Sequence, residues 1–172
     1  MHDVLLRLAR LRVPLGFGAA AVAIVLARPN PTSLLWGMLV AAAGEAVRVW
    51  AAGHLEKGRE VTRSGPYRFS RHPLYVGSTL MACGITVAAA SLWVAVVTAV
   101  YLAATLTAAI RTEEAFLRRQ FGEEYDNYCQ GRAASVDRRF SWARAWRNRE
   151  WRAIAGLGVA AALLAAKAAW LR

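Results

Sequence analysis

A chain of 172 residues would ordinarily fold as one domain around a modest core, but 57% of this one is hydrophobic and its apolar residues gather in long blocks. That pattern excludes an ordinary soluble globule and points to an integral membrane protein. The formal charge of +11 does not imply a nucleic-acid partner, because most of the 22 basic residues lie in three segments that alternate with the apolar blocks, without the aromatic and basic interleaving of a nucleic-acid-binding module.

The three basic segments lie before Val13, between Gly53 and His72, and between Arg111 and Arg152. Short basic loops of this kind stay on the cytoplasmic side of a membrane and touch anionic lipid there. Ahead of the first block, Val4, Leu5, Leu8 and Leu11 alternate with Arg7, Arg10 and Arg12 at helical spacing, as in an interfacial amphipathic segment. Residues 13–27 form the first apolar block. Arg28-Pro29 is a poor context for signal cleavage and further apolar blocks follow, so this block reads as a retained span.

Four more blocks follow, at residues 33–52, 73–90, 92–110 and 151–170. Each has about the 15–20 residues needed to approach or complete a helical crossing of hydrocarbon, where no water can satisfy a strand's edges. The expectation is an all-α polytopic protein of about five transmembrane helices in an inner membrane. Its N-terminus and residues 53–72 and 111–150 would be cytoplasmic, and its C-terminus outside. Almost no turn separates the third and fourth blocks at Ser91, so they should form an antiparallel hairpin. Its cytoplasmic ends, Arg71-His72-Pro73 and Arg111-Thr112-Glu113-Glu114, would then be neighbours.

Polar residues inside or beside these blocks are the candidates for chemistry. Glu45 and Arg48, three apart in the second block, share a helix face as a self-neutralising pair or the edge of a functional cavity. His54 reads as an interfacial residue, and Trp142, Trp146, Trp151 and Trp170 as interfacial anchors. Cys83 and Cys129 have no spacing that suggests a disulfide or a metal site.

Gly65-Pro66 marks a turn, and Pro73 suits the first turn of a helix, where its missing N–H is no loss. Arg71, His72 and that helix start could receive a carboxylate or phosphate. The plain alternative is a basic flank with a helix-starting proline. Gly77, one turn in, could let a ligand approach the backbone. Downstream, Leu117, Phe121, Tyr125 and Tyr128 fall on one stripe at 100° per residue, with Glu114 near its centre, Glu113 at its edge and Glu123 opposite. A carboxylate in such a stripe needs a cationic partner. Arg71, Arg111 or a ligand could supply it, and a surface pair with Arg118 is the competing reading.

Together these residues resemble the isoprenylcysteine carboxyl methyltransferase and phospholipid methyltransferase family of membrane enzymes. The resemblance rests on Gly65-Pro66-Tyr67, Arg71-His72-Pro73-Leu74-Tyr75-Val76-Gly77, Glu113-Glu114, Leu117, Phe121-Gly122-Glu123-Glu124-Tyr125 and Tyr128, and covers residues 59–130. It implies one integral-membrane methyltransferase domain over residues 1–172, with the C-terminal span as an addition. It also implies an S-adenosylmethionine site at the cytosolic surface under a helical cap, with S-adenosylhomocysteine as product and a lipophilic or small acceptor (carboxylate, thiol or amine) entering from the bilayer. Arg71, His72, Pro73, Leu74, Tyr75, Gly77, Glu113 and Glu114 would hold the cofactor, with Arg111 and Glu114 near the reacting centre. Two other readings stand beside it. Tyr125-Asp126-Asn127-Tyr128-Cys129 partly echoes membrane sterol reductases that use NADPH, and a non-catalytic scaffold could share the fold.

Overall fold

A computed structural model describes the backbone of residues 2–171 and the side chains of Leu11 and residues 14–171. Its elements are α1 (His2–Leu26), α2 (Pro31–His54), a 3₁₀ turn (Gly65–Arg68), α3 (Pro73–Ala89), α4 (Leu92–Phe121), α5 (Glu123–Cys129), α6 (Trp142–Arg147) and α7 (Trp151–Trp170). The helical starts follow the sequence signals. Asn30 and Ser33 form a reciprocal capping box at α2, and Pro73 opens α3 with His72 as its cap. The amphipathic pattern before the first block lies on helical backbone, but its side chains other than Leu11 fall outside the described residues.

By length and composition α2, α4 and α7 can each cross a membrane, whereas Pro14–Leu26 of α1 and α3 are shorter apolar helices. All five apolar helices run between the same two ends of the molecule. At one end, the Arg28 amide donates to the Ala89 carbonyl at 2.7 Å, and the Lys167 ammonium donates to the Ile24 and Val25 carbonyls at 2.6 and 2.7 Å. A small core of Ala27, Ala88, Ala89, Val94 and Leu164 sits there.

The opposite end carries the two long basic segments. The last carbonyls of α2, which lack helical partners, are met from the C-terminal segment: Arg144 donates to Gly53 at 2.6 Å, and the Asn148 amide donates to both Ala52 and Leu55 at 2.9 Å. Ion pairs Arg138–Glu60 at 2.6 Å and Arg144–Glu56 at 2.7 Å fasten residues 132–150 over this end. The Arg144 hydrogen bond holds the Glu56 carboxyl below its ordinary value.

Helix α3 packs differently on its two sides. Toward α2 the contact is backbone to backbone. A Cβ added at Gly44 would stand 2.7 Å from the Gly77 carbonyl oxygen, and one at Gly84 would stand 2.6 Å from that of Gly37. Only glycine allows so close a crossing, as in other closely packed membrane helices. Toward α4 the hairpin forms at Ala90-Ser91, but its legs then diverge. Helix α4 also continues 11 residues past the apolar block that ends at Ile110, carrying Arg111 to Glu114 on the same rod.

Candidate functional site

A cavity of about 840 Å³ fills the space between the diverging legs and extends to the basic end. Its inner part is lined by Ser78, Met81 and Ala82 of α3 and by Tyr101, Leu102, Thr105, Leu106 and Ala109 of α4. These positions recur at three and four residues, so each helix gives the cavity one face. Its outer part is polar and aromatic, with Glu56, Glu60, Tyr67, Arg71, His72, Glu113, Phe116, Tyr125 and Tyr128 on the lining.

Where the legs reach the basic end, polar contacts join them. His72 Nε2 lies 3.1 Å from Glu114 Oε1, Arg71 Nη1 lies 3.2 Å from the same oxygen, and the Tyr75 hydroxyl donates to Glu113 Oε2 at 2.6 Å. The expected hairpin therefore does bring the two charged clusters together. Arg71 also donates to Cys129 Sγ at 3.5 Å, which with Glu114 pushes the guanidinium's pKa up and keeps it cationic. The Tyr128 hydroxyl, pushed up to about 12 by burial, stays protonated and donates to the Tyr67 carbonyl at 2.7 Å. Burial likewise raises Tyr67 and Tyr125.

Several expectations need correction. Helix α4 ends at Phe121, and Gly122 turns the chain at φ 50° into α5, so Tyr125 and Tyr128 do not continue its stripe. With those two rings removed from the helical phase, Thr112, Glu113, Phe116 and Leu117 form the cavity face. Of the adjacent pair on α4, Glu113 is thus the one on the lining. Glu114 lies at the edge of that face, held by Arg71 and His72 and, at 3.8 Å, by Arg118.

Arg111, two positions before Glu113 and so about 200° around the helix, is exposed and absent from the lining. Gly77 similarly faces α2, where its added Cβ would meet Arg48, and offers no approach to a ligand. The amides of Tyr75 and Val76 donate to the His72 carbonyl at 3.0 and 3.1 Å, so the side chains of Arg71 and His72 form the polar corner rather than a row of backbone donors. Pro73, Leu74 and Tyr75 do line the cavity. His54 is buried at the end of α2, with Nδ1 3.2 Å from Ser64 Oγ.

One polar cluster is larger than the Glu45–Arg48 pair anticipated from spacing. Arg48 donates from Nε to Glu150 Oε1 at 2.7 Å and lies 2.6 Å from the same oxygen through Nη2; it also donates to Ser78, while Glu45 stands farther off at 3.5 Å. Arg48, Ser78 and Glu150 all line the cavity. Glu150 escaped the sequence reading because it is 102 residues from its partner. The available signal was an acidic residue between Arg149 and Trp151, directly before a span that follows an intramembrane arginine.

The fold and cavity define a helical protein with membrane-length apolar helices and a chamber open toward its basic end. Residues 35–124, just over half of the chain, match the model of the phospholipid methyltransferase family. The chain belongs to that family of membrane methyltransferases. Among curated proteins, it is 38% identical over 96 residues to the cobalt-zinc-cadmium resistance protein CzcN of Cupriavidus metallidurans, covering 55% of this chain and 44% of that protein. It is 33% identical over 96 residues to the nickel-cobalt-cadmium resistance protein NccN of Alcaligenes xylosoxydans xylosoxydans, covering 55% and 45%. The chain thus spans under half the length of these two relatives. No solved structure matches it.

Proposed function

We propose that the protein transfers the methyl group of S-adenosylmethionine to a lipophilic or small acceptor, using the chamber between α3 and α4. The observation that carries this reading is the direct contact of His72 with Glu114 and of Tyr75 with Glu113. These contacts bring both halves of the family pattern to one cavity. The donor set suits the cofactor: Arg71 offers positive charge and His72 a ring nitrogen to its carboxylate, Glu113 offers a carboxylate to its ammonium, and Tyr67, Phe116, Tyr125 and Tyr128 offer rings to its adenine. When bound, S-adenosylmethionine supplies an activated methyl group on a sulfonium.

The chain's own contribution is then alignment and exclusion of water, which suit an in-line displacement. Glu114 anchors Arg71 and His72. Glu113 is oriented by the Tyr75 hydroxyl, and the Tyr128 hydrogen bond keeps α5 over the mouth. The apolar inner face between α3 and α4 admits the acceptor from the side. As one domain, the chain would place five helices across an inner membrane, with the basic end and its cap in the cytosol. The shared direction of the five helices and the basic clusters at one end support that arrangement, with α3 spanning about 25 Å.

The resistance roles named for CzcN and NccN suggest a cellular setting in which metal stress calls for such a methylation. The biochemical test is calorimetric titration of detergent-purified protein with S-adenosylhomocysteine. One saturable site is expected, weakened at least about tenfold in His72→Ala by loss of a hydrogen bond to a charged group. Absence of binding to the unmodified protein would end the proposal.

A further inference from the structure

Beyond residue 124 the family match stops, yet Glu150, at the entry to α7, reaches back across the chain to the chamber. Its side chain is almost wholly buried, as is that of Glu45, and among the described residues one guanidinium, Arg48, pairs with both carboxyl groups. Both oxygens of Glu45 are buried without a hydrogen-bond partner. Arg48 meanwhile directs three of its donor contacts to Glu150 and Ser78. The cluster therefore carries one carboxyl more than it has cations, and Arg48, Ser78 and Glu150 line the same chamber as Met81, Leu102 and Leu106.

We infer that Glu150 is the acceptor-side residue of the chamber and that it selects a nucleophile bearing a proton, an amine or a thiol, against a carboxylate. The inference rests on the methyl-transfer reading above. A carboxylate acceptor would have to compete for Arg48 with the Glu150 carboxylate already on it, and like charges at such range oppose binding. An amine or thiol instead has a proton to dispose of. As its nitrogen or sulfur bonds to the methyl carbon, the carbon–sulfonium bond breaks and its electron pair stays on the cofactor's sulfur, which becomes a neutral thioether. The proton leaves the new ammonium or sulfonium centre for the Glu150 carboxylate. Arg48 orients that carboxylate. Among the described residues, charged and titratable groups acting on or with Glu150 include Arg48 and Glu45 from α2 and Tyr67 from the 3₁₀ turn.

The test uses the full chain in detergent with three probes of equal tail, dodecylamine, dodecanethiol and dodecanoate. Calorimetry should show dodecanoate binding at least about tenfold more tightly to Glu150→Gln than to the unmodified protein, because one repelling charge is gone and Arg48 is released. With tritiated S-adenosylmethionine, transfer should favour the amine or the thiol over dodecanoate. Glu150→Gln should lose about a hundredfold in rate. Glu150→Asp should recover part of it, and S-adenosylhomocysteine affinity should stay within about twofold as evidence that the variants fold. Equal dodecanoate binding by Gln variant and parent, preferred methylation of dodecanoate, labelling of none of the probes while S-adenosylhomocysteine still binds, or an unchanged rate in Glu150→Gln would overturn the inference. Failure of the parent to bind S-adenosylhomocysteine would instead overturn the methyltransferase reading.

Discussion

Helix α3 has two neighbours and treats them in opposite ways. Against α2 it presents Gly77, Gly84 and Ala88, and the backbones close to contact. Against α4 it presents Leu74, Tyr75, Ser78, Met81 and Ala82, and a chamber remains. The same apolar block thus welds the scaffold with one face and makes room for chemistry with the other. The residues that decide between the two are glycines and an alanine at helical spacing on one side and mostly longer or polar ones on the other. A rigid seam of this kind gives a site fixed walls, which preorganised catalysis needs.

Substitutions can separate the two regions, and the largest effect should fall where the seam and the chamber share a residue. Arg48 packs beside Gly77 and also neutralises Glu150, so Arg48→Met strands a buried carboxylate; a loss of about 3–5 kcal/mol is expected, read as a large fall in the thermal midpoint in detergent. Next comes Gly44→Val, which drives a side chain into the α3 backbone and should destabilise by about 1–3 kcal/mol, with loss of a monodisperse peak in size-exclusion chromatography. If that variant proved as stable as the parent, the close crossing would be wrong.

In the chamber the order reverses, with little effect on stability and much on binding. Leu106→Ala, on the cavity face, should change stability by less than about 1 kcal/mol, since the site already faces open space and no packed cavity is created. The smallest expected effect concerns the fastening of the cap. Glu56 is held below its ordinary value near 4.5 by Arg144, so its stabilising contribution is complete at neutral pH and is lost as the pH falls through the lowered value. Glu56→Gln should therefore flatten the acid side of the stability curve below about pH 4.5, as followed by thermal melts across pH.

Much of this fold is legible because its signals are local. Pro73 fixes the start of α3, the bare turn at Ser91 folds the hairpin, and the hairpin puts His72 within 3.1 Å of Glu114. The 35–124 match begins earlier than the resemblance at residues 59–130, because α2 contributes a scaffold face of small residues whose packing partner is invisible until α3 is set beside it. The phase of the carboxylates on α4 was misread for a different reason. Gly122 has a positive φ and ends the helix, but the residues on either side of it continue an apolar period that looks helical. Arg48 and Glu150 meet only in three dimensions, and no spacing in the chain encodes a contact made across 102 residues.

The account turns on where S-adenosylmethionine sits, and ultraviolet crosslinking of the tritiated cofactor followed by peptide mapping measures that directly. Label is expected on the 3₁₀ turn, the first turn of α3 and residues 109–128, at the mouth of the chamber. Label concentrated at the other end, around Arg28 and Lys167, or no saturable labelling at all, would contradict it.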